Sequence, residues 1–222
     1  MELAVKQAKI SINVIRRLPR YLRKLDDLAY NGIERISSGE LGRRMGLTPS
    51  QIRQDFSCFG EFGQQGYGYN VKALREQIAV ILGMDQNYRA ILVGVGNLGH
   101  ALLHNFGFAE NGLRVLGGFD VSASLVGTEV AGVPIRHVDD MEAFLREQQV
   151  DIAVLATPRR FAQNLAKTLA ACGVSAIWNF TNLDLDLDED GVLVENVHFS
   201  DSLLALSYFL TESRRETEDA EG

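Results

Sequence analysis

Apolar positions in the first third of the chain recur at helical spacing, whereas those of the remainder gather in short continuous runs. Ile15, Leu18, Leu22, Leu25 and Ala29 lie three or four residues apart and mark one face of a helix, which Asn31-Gly32 ends. Two helix starts follow closely. Ser37 stands three residues before Glu40, and Thr48 three before Gln51 with Pro49 at the first helical position. Each pair is expected to cap reciprocally, the hydroxyl and the longer side chain each taking the other's backbone amide. A short helix to Met45, a turn at Gly46 and a second helix with Ile52, Phe56 and Phe59 inward make a helix-turn-helix. From Gly60 to Tyr69 glycine alternates with aromatic and polar residues, the pattern of a short twisted hairpin, and a wing beside the second helix is expected. Val71 to Gly83 predicts a helix with Leu74, Ile78 and Ile81 or Leu82 buried, and a linker at Met84 to Tyr88 sets a domain boundary near residue 86.

Beyond the boundary the pattern changes. Arg89 to Val93 is a short apolar run suited to a parallel strand covered on both faces, and Val115 to Phe119, Ile152 to Ala156 and Ser175 to Phe180 predict further strands. Phe161 to Cys172 has helical spacing. Leu203, Leu204, Leu206, Tyr208, Phe209 and Leu210 predict a C-terminal helix, begun by a Ser200 cap and apolar on most faces. Such a helix requires cover, from its own domain or from a second copy, and a swapped homodimer is the sharper expectation. The charged tail from Thr211 to Gly222 is expected to be disordered toward its end.

With 222 residues the chain has room for two compact domains, and 46% apolar with 23% charged residues is an ordinary globular balance. Its apolar runs fall far short of the roughly 20 residues of a membrane span. Lys6, Lys9, Arg16 and Arg17 interrupt any secretory pattern, so no membrane partner and a cytoplasmic location are expected. Cys58 and Cys172 are too few and too far apart for a metal motif, and both are expected to be structural. The net charge of −7 is unevenly spread: residues 1–85 hold 13 Lys and Arg against 9 Asp and Glu, giving +4, and residues 86–222 hold 9 against 20, giving −11. A basic N-terminal third beside an acidic remainder points a duplex toward the former.

The chemistry follows the same division. On the second helix of the helix-turn-helix, Ser50, Gln51, Arg53 and Gln54 face away from the apolar side. They are suited to base edges and phosphates, Arg pairing with guanine and Gln with adenine, although a plain polar surface would look similar. Gln64, Gln65 and Tyr67 would form the tip of the wing, and Arg17 on the first helix can reach a phosphate strand. In the second domain Gly94-Val95-Gly96-Asn97-Leu98-Gly99 joins a predicted strand to a predicted helix. The three glycines suit a tight turn, close approach of a pyrophosphate, and helix-on-strand packing. Asp120 ends the next strand 21 residues after Gly99, where a carboxylate accepts from ribose hydroxyls and favours NAD(H) over NADP(H); a CoA-type site is the alternative. Thr157, Pro158, Asn179 and Phe180, at the ends of later strands, are expected near the nicotinamide half. The expected fold is therefore α/β: a winged helix-turn-helix DNA-binding domain at 1–85, a Rossmann-type dinucleotide-binding domain at 86–200, and a C-terminal dimerisation helix and tail at 201–222.

Arg17-Leu18-Pro19-Arg20-Tyr21, Ser37-Ser38-Gly39-Glu40-Leu41, Arg53-Gln54-Asp55-Phe56-Ser57, Phe59-Gly60-Glu61-Phe62-Gly63, Gly66-Tyr67-Gly68-Tyr69-Asn70-Val71 and the glycine turn at 94–99 stand in one order. Through them the chain resembles the Rex family of redox-sensing transcriptional repressors over nearly its whole length. The resemblance implies a homodimer with swapped C-terminal helices that binds an inverted-repeat operator and leaves it when NADH binds. It also implies that Phe199, just before that helix, lies by the nicotinamide. Asn105 stands where family members often have Tyr, and His198 where they have an Asp that exchanges partners between that Tyr and the arginine matching Arg17. This chain cannot make that exchange as described, and Gln54 replaces a more usual basic residue. An NAD-dependent dehydrogenase shares the glycine turn and acid, but His100, His104, His137 and His198 show no catalytic pattern with Lys or Arg, so no enzyme is expected. A dinucleotide-gated module that docks a protein is the remaining rival, and the charge split argues against it.

Overall fold

The computed structural model describes residues 10–60, 62, 67–187 and 191–221. The chain divides into two compact units, Met1–Gln86 and Asn87–Gly222.

The first unit opens with α1 (Ile12–Tyr30), started by the Ser11 hydroxyl, which accepts from the Asn13 amide. Its inner face, Leu18, Tyr21, Leu25 and Leu28, packs with Leu41, Ile52, Phe56, Leu74 and Ile78 into one core. Helix α2 (Ser38–Met45) ends in left-handed Gly46, at φ 68°, and α3 (Pro49–Ser57) follows at once, which gives the helix-turn-helix. The caps form only by half. Ser37 Oγ accepts from the Glu40 amide at 3.1 Å and Thr48 Oγ1 from the Gln51 amide at 3.1 Å. The return bonds are absent: Glu40 turns to Arg43 and Arg44, and Gln51 to Asp55, because a charged partner one turn on outbids a neutral amide.

In the glycine-rich segment expected as a hairpin, residues 61 and 63–66 lie outside the described residues. Strand β2 (Tyr69–Asn70) pairs antiparallel with β1 (Arg35–Ile36), matching Ile36 with Tyr69 and Arg35 with Asn70. Gly68 enters that pairing at φ +69°, with the Ile36 carbonyl oxygen 2.7 Å from where a Cβ would stand, so no side chain fits there. Gln64 and Gln65, the expected wing tip, lie outside the described residues. Helix α4 (Val71–Ile81) buries Val71, Leu74 and Ile78 and completes the unit.

The second unit is a seven-stranded sheet. Its strands are β3 (Tyr88–Val93), β4 (Leu113–Asp120), β5 (Glu129–Val130), β6 (Val133–His137), β7 (Ile152–Leu155), β8 (Ala176–Asn179) and β9 (Leu193–Asn196), in the order β5-β6-β4-β3-β7-β8-β9. All pairings are parallel except that of β5 with β6. Leaving β5 aside, the chain runs outward from β3 to one edge and then returns to the other. The direction reverses beside β3, and ligands of such sheets sit at the carboxyl ends of the strands there. Successive β3 residues alternate between two cores: Ile91 and Val93 pack with Phe119, Leu155, Ala162, Ala166 and Leu169, and Leu92 with Val95, Leu103, Val154 and Phe180. Asp151 ties the start of the sheet by accepting from the Arg89 amide at 2.7 Å and from its guanidinium. Helices α5 (Asn97–Asn105), α6 (Met141–Glu147) and α7 (Arg159–Ala171) connect the strands.

Helix α8 (Phe199–Glu221) departs from the sequence expectation at both ends. Phe199 is its first residue rather than the one before a Ser200-capped start, and the helix continues to Glu221, into the part of the charged tail expected to be disordered. Glutamates and arginines are good helix formers, an Arg215–Glu212 pair at 2.7 Å supports the last turns, and the Thr211 and Thr217 hydroxyls bond to carbonyls one turn back. Cys58 is exposed and Cys172 partly buried, so the expected burial holds in part for the second thiol only. No helix among the described residues is long and apolar enough to cross a membrane.

Candidate functional sites

In the sheet unit, the end of β3 is shaped by three glycines with separate tasks. Gly94 has φ +95° and lies so close to β7 that a Cβ would be 2.6 Å from the Ala156 carbonyl oxygen. Its amide donates to Phe119 at 2.8 Å, holding the turn against β4. Gly99 sits in α5, where a Cβ would collide with the Gly94 carbonyl and touch Leu92 at 3.0 Å. Gly96 differs: nothing lies within 4 Å of its Cβ position. It caps α5 with no side-chain bond, leaving the helix N-terminus of Asn97 and Leu98 open to a phosphate.

Asp120 stands beside this turn, at the end of β4. Its carboxylate accepts from the Val95 amide at 2.7 Å and from the Ser122 amide at 2.8 Å, so two backbone groups fix its direction. At the end of β7 the Thr157 hydroxyl is buried without a partner among the described residues. A buried, unpaired hydroxyl is costly and marks a place where a polar ligand atom would be satisfied. Pro158 is exposed and begins α7. An open glycine approach, a free helix N-terminus, an aimed carboxylate and an orphan hydroxyl together fit a dinucleotide.

Asn179 does not join them as expected. It is buried, and its amide is consumed: Nδ2 donates to the Leu183 carbonyl at 2.6 Å and to Asn196 Oδ1 at 2.7 Å, while Oδ1 accepts from the Thr181 amide and hydroxyl. It pins the loop after β8 and has no group left for a nicotinamide. Phe180 is buried edge-on against Trp178, with ring centroids 4.6 Å apart, and Phe199, an exposed residue, lies 6.1 Å from it.

In the first unit, Ser50, Arg53 and Gln54 are exposed on α3 and Tyr67 is exposed beyond it. Arg53 is steadied by bonds to Ser38 Oγ at 3.0 Å and Ser50 Oγ at 3.2 Å. Arg17 and Gln51 are placed otherwise than expected. Both bond to Asp55, a carboxylate with no exposure: Arg17 through two parallel bonds of 2.6 and 2.7 Å, Gln51 through Nε2 at 2.8 Å, with the Tyr21 hydroxyl adding a bond of 2.7 Å. The Arg17 fork is turned into the protein, and its part in phosphate contact gives way to bracing α3. Burial by itself would push the Asp55 carboxyl up, but the bonds from Arg17, Tyr21 and Gln51 outweigh it and hold it below the usual carboxylate range. Burial and the bond to Asp55 raise the Tyr21 phenol well above its ordinary value. Asp55 was missed although its signal was present, since it shares the inward face of α3 with Ile52 and Phe56.

Two family models match in chain order: a DNA-binding protein N-terminus over residues 9–57 and a CoA binding domain over residues 85–183. A redox-sensing transcriptional repressor Rex from Caldicellulosiruptor saccharolyticus is 47% identical over 97% of this chain and 98% of its own. The chain belongs to the Rex family.

Two Rex-family crystal structures of RSP are similar throughout. One, in complex with beta-NADH, aligns with a TM-score of 0.87 at 42% identity over 95% of this chain and 99% of RSP. The other, with beta-NAD+ and operator DNA, aligns with a TM-score of 0.85 at 44% identity over 95% and 97%. The relatives carry the name of repressors, although a glycine turn such as this chain's also serves dehydrogenases. At Asn105 and His198, where the resemblance leads one to expect Tyr and Asp, the side chains have local partners. Asn105 Nδ2 donates to the Ala101 carbonyl in its own helix at 3.1 Å, and His198 Nε2 lies 2.9 Å from Asp184 Oδ1.

Proposed function

We propose that the chain is a homodimeric transcriptional repressor of the cytoplasm, bound to an inverted-repeat operator when NADH is scarce and released when NADH binds. The carrying observation is the open Gly96 approach beside the aimed Asp120 carboxylate. On this reading residues 1–85 bind DNA through α3, residues 86–200 bind NADH or NAD+, and residues 201–222 join two copies. The dinucleotide supplies the redox signal, because its nicotinamide ring is charged in NAD+ and neutral in NADH. The chain's own groups select and place it. The α5 N-terminus and Gly96 take the pyrophosphate, Asp120 accepts from ribose hydroxyls and repels a 2′-phosphate, and Thr157 gains a partner for its hydroxyl. Phe180 and Phe199 offer apolar cover that suits a neutral ring better than a charged one. In a two-fold dimer the two α3 helices must lie about one turn of DNA apart to enter successive major grooves, and a change in that spacing releases the operator.

Support comes from full-length membership in a family of redox-sensing repressors and from the RSP structures with NADH and with NAD+ and operator DNA. The test is fluorescence anisotropy of a labelled palindromic operator with the purified chain, titrating NADH, NAD+ and CoA separately at fixed salt. NADH is expected to release DNA, with NAD+ far less effective and CoA inert. Release by CoA, or indifference to NADH, would refute the sensing function.

A further inference from the structure

Glutamine is ambiguous as a base reader, because its side chain presents an acceptor and a donor of nearly the same shape. In α3 that ambiguity is removed from below. Asp55 is buried and bidentate to Arg17, so it is an ionised group that can only accept. Oδ2 takes Arg17 Nε and the Tyr21 hydroxyl, and Oδ1 takes Arg17 Nη2 and Gln51 Nε2. The Gln51 nitrogen must therefore point inward. Among the described residues its Oε1 has no partner and is not wholly buried, so it is left open to solvent at the first turn of the helix.

We infer that Asp55 is a specificity-determining positioning residue: by holding the Gln51 nitrogen, it presents the Gln51 oxygen to DNA, so that Gln51 reads a base edge as an acceptor. This rests on the operator-binding reading above. In the major groove only adenine, through N6, and cytosine, through N4, offer a donor, while guanine and thymine offer acceptors. One operator position should therefore prefer A or C to G or T through Gln51. The same carboxylate orders Arg17 and Tyr21 of α1, so the brace that fixes the recognition helix also fixes the polarity of one of its readers.

The test is a panel of operators with each half-site position changed symmetrically to all four bases, measured by anisotropy at one salt concentration with the full chain, Gln51→Leu and Asp55→Asn. The wild type is expected to favour A or C about tenfold at one position. Gln51→Leu, a change at a half-buried position that keeps a good helix former, should flatten that preference and no other. In Asp55→Asn the NH2 is set against a donor of Arg17 in either orientation, against Nη2 where it replaces Oδ1 and against Nε where it replaces Oδ2, so the brace no longer fixes which end of the Gln51 amide points inward. The preference for A or C at that position should therefore weaken toward indifference. A uniform loss across all operators with unchanged preferences would reduce Asp55 to a structural role and overturn the proposal. So would a Gln51→Leu profile identical to the wild type, or a Gln51-dependent preference for G or T. If thermal melting shows Asp55→Asn unfolded, Gln51→Leu and the sign of the wild-type preference decide alone. Failure of the wild type to bind any operator is a separate result, which removes the operator-binding reading and this proposal with it.

Discussion

Gly94 and Gly96 stand two residues apart in the same turn and should respond oppositely to a side chain. Gly94 combines positive φ with a carbonyl 2.6 Å from its Cβ position, so Gly94→Ala should cost about 2 kcal/mol or more of stability. Gly96 has ordinary φ and open space around it, so Gly96→Val should melt within about 0.5 kcal/mol of the wild type while losing NADH binding by isothermal titration. A motif search treats the two as equivalent, since the sequence shows both as glycine and only the neighbouring backbone distinguishes them. Asp120 and the glycines were legible because their tasks are set by local chain geometry at fixed spacing. Asn179 was not, because the four bonds that consume it come from Thr181, Leu183 and Asn196 in a loop that sequence periodicity does not describe. Asp55 makes a second prediction at this scale. Its carboxyl is held below the ordinary range in the folded unit, so its contribution is present above about pH 4 and is lost as pH falls through the folded value. Thermal melts from pH 7 to pH 3 should show wild-type stability falling steeply below about pH 4. Asp55→Asn should start lower by roughly 3 kcal/mol at pH 7 and fall less steeply. Its residual acid sensitivity belongs to groups such as Asp151, whose carboxyl is lowered chiefly by the bond from Arg89.

Elements were most legible where one face of a long helix or one central strand carries the pattern. α1, the helix-turn-helix, α4 and the inner strands answer to apolar periodicity because each is covered by its own unit. The short strands β5, β6 and β9 escaped, since two to five residues cannot display a period and their pairing is settled by neighbours distant in sequence. β2 shows the same limit: its partner β1 lies more than thirty residues earlier. α8 raises the opposite problem, being legible as a helix but uncovered. Leu203, Leu204, Leu206, Tyr208, Phe209 and Leu210 are each more than half exposed, an apolar surface that a lone soluble chain rarely carries. On the dimer reading a second copy covers it. Leu206→Glu with Leu210→Glu, two substitutions one turn apart, should convert the wild-type dimer to a monomer in sedimentation equilibrium without changing the far-ultraviolet helical signal. A wild type that sediments as a monomer at micromolar concentration would sink the assignment of α8 to dimerisation.

For the whole molecule the two units are linked by thermodynamics whatever path connects them. If NADH weakens operator binding by some factor, the operator must weaken NADH binding by the same factor, because the two bindings close one cycle. This gives a check that no fold comparison supplies, and it isolates the effect of the departures at Asn105 and His198. Both side chains are bonded to local partners, Ala101 and Asp184. Either other contacts carry the coupling, or it is weaker or tuned by His198, and its size is a measured quantity. Arg53→Ala should abolish operator binding and leave NADH affinity within about twofold, because among the described residues Arg53 bonds to Ser38 and Ser50 of its own unit. Gly96→Val should bind the operator but ignore NADH. The informative value is the wild-type factor, obtained once by titrating NADH onto the operator complex and once by titrating operator onto the NADH complex. Equal factors above about tenfold would show a switch working without the Tyr and Asp of the family; equal factors near one would show that the two substitutions had silenced it. Unequal factors would mean that a third species, such as a change in oligomeric state, takes part in the equilibrium, and repeating the titrations with the α8 double variant would locate that species in the dimer.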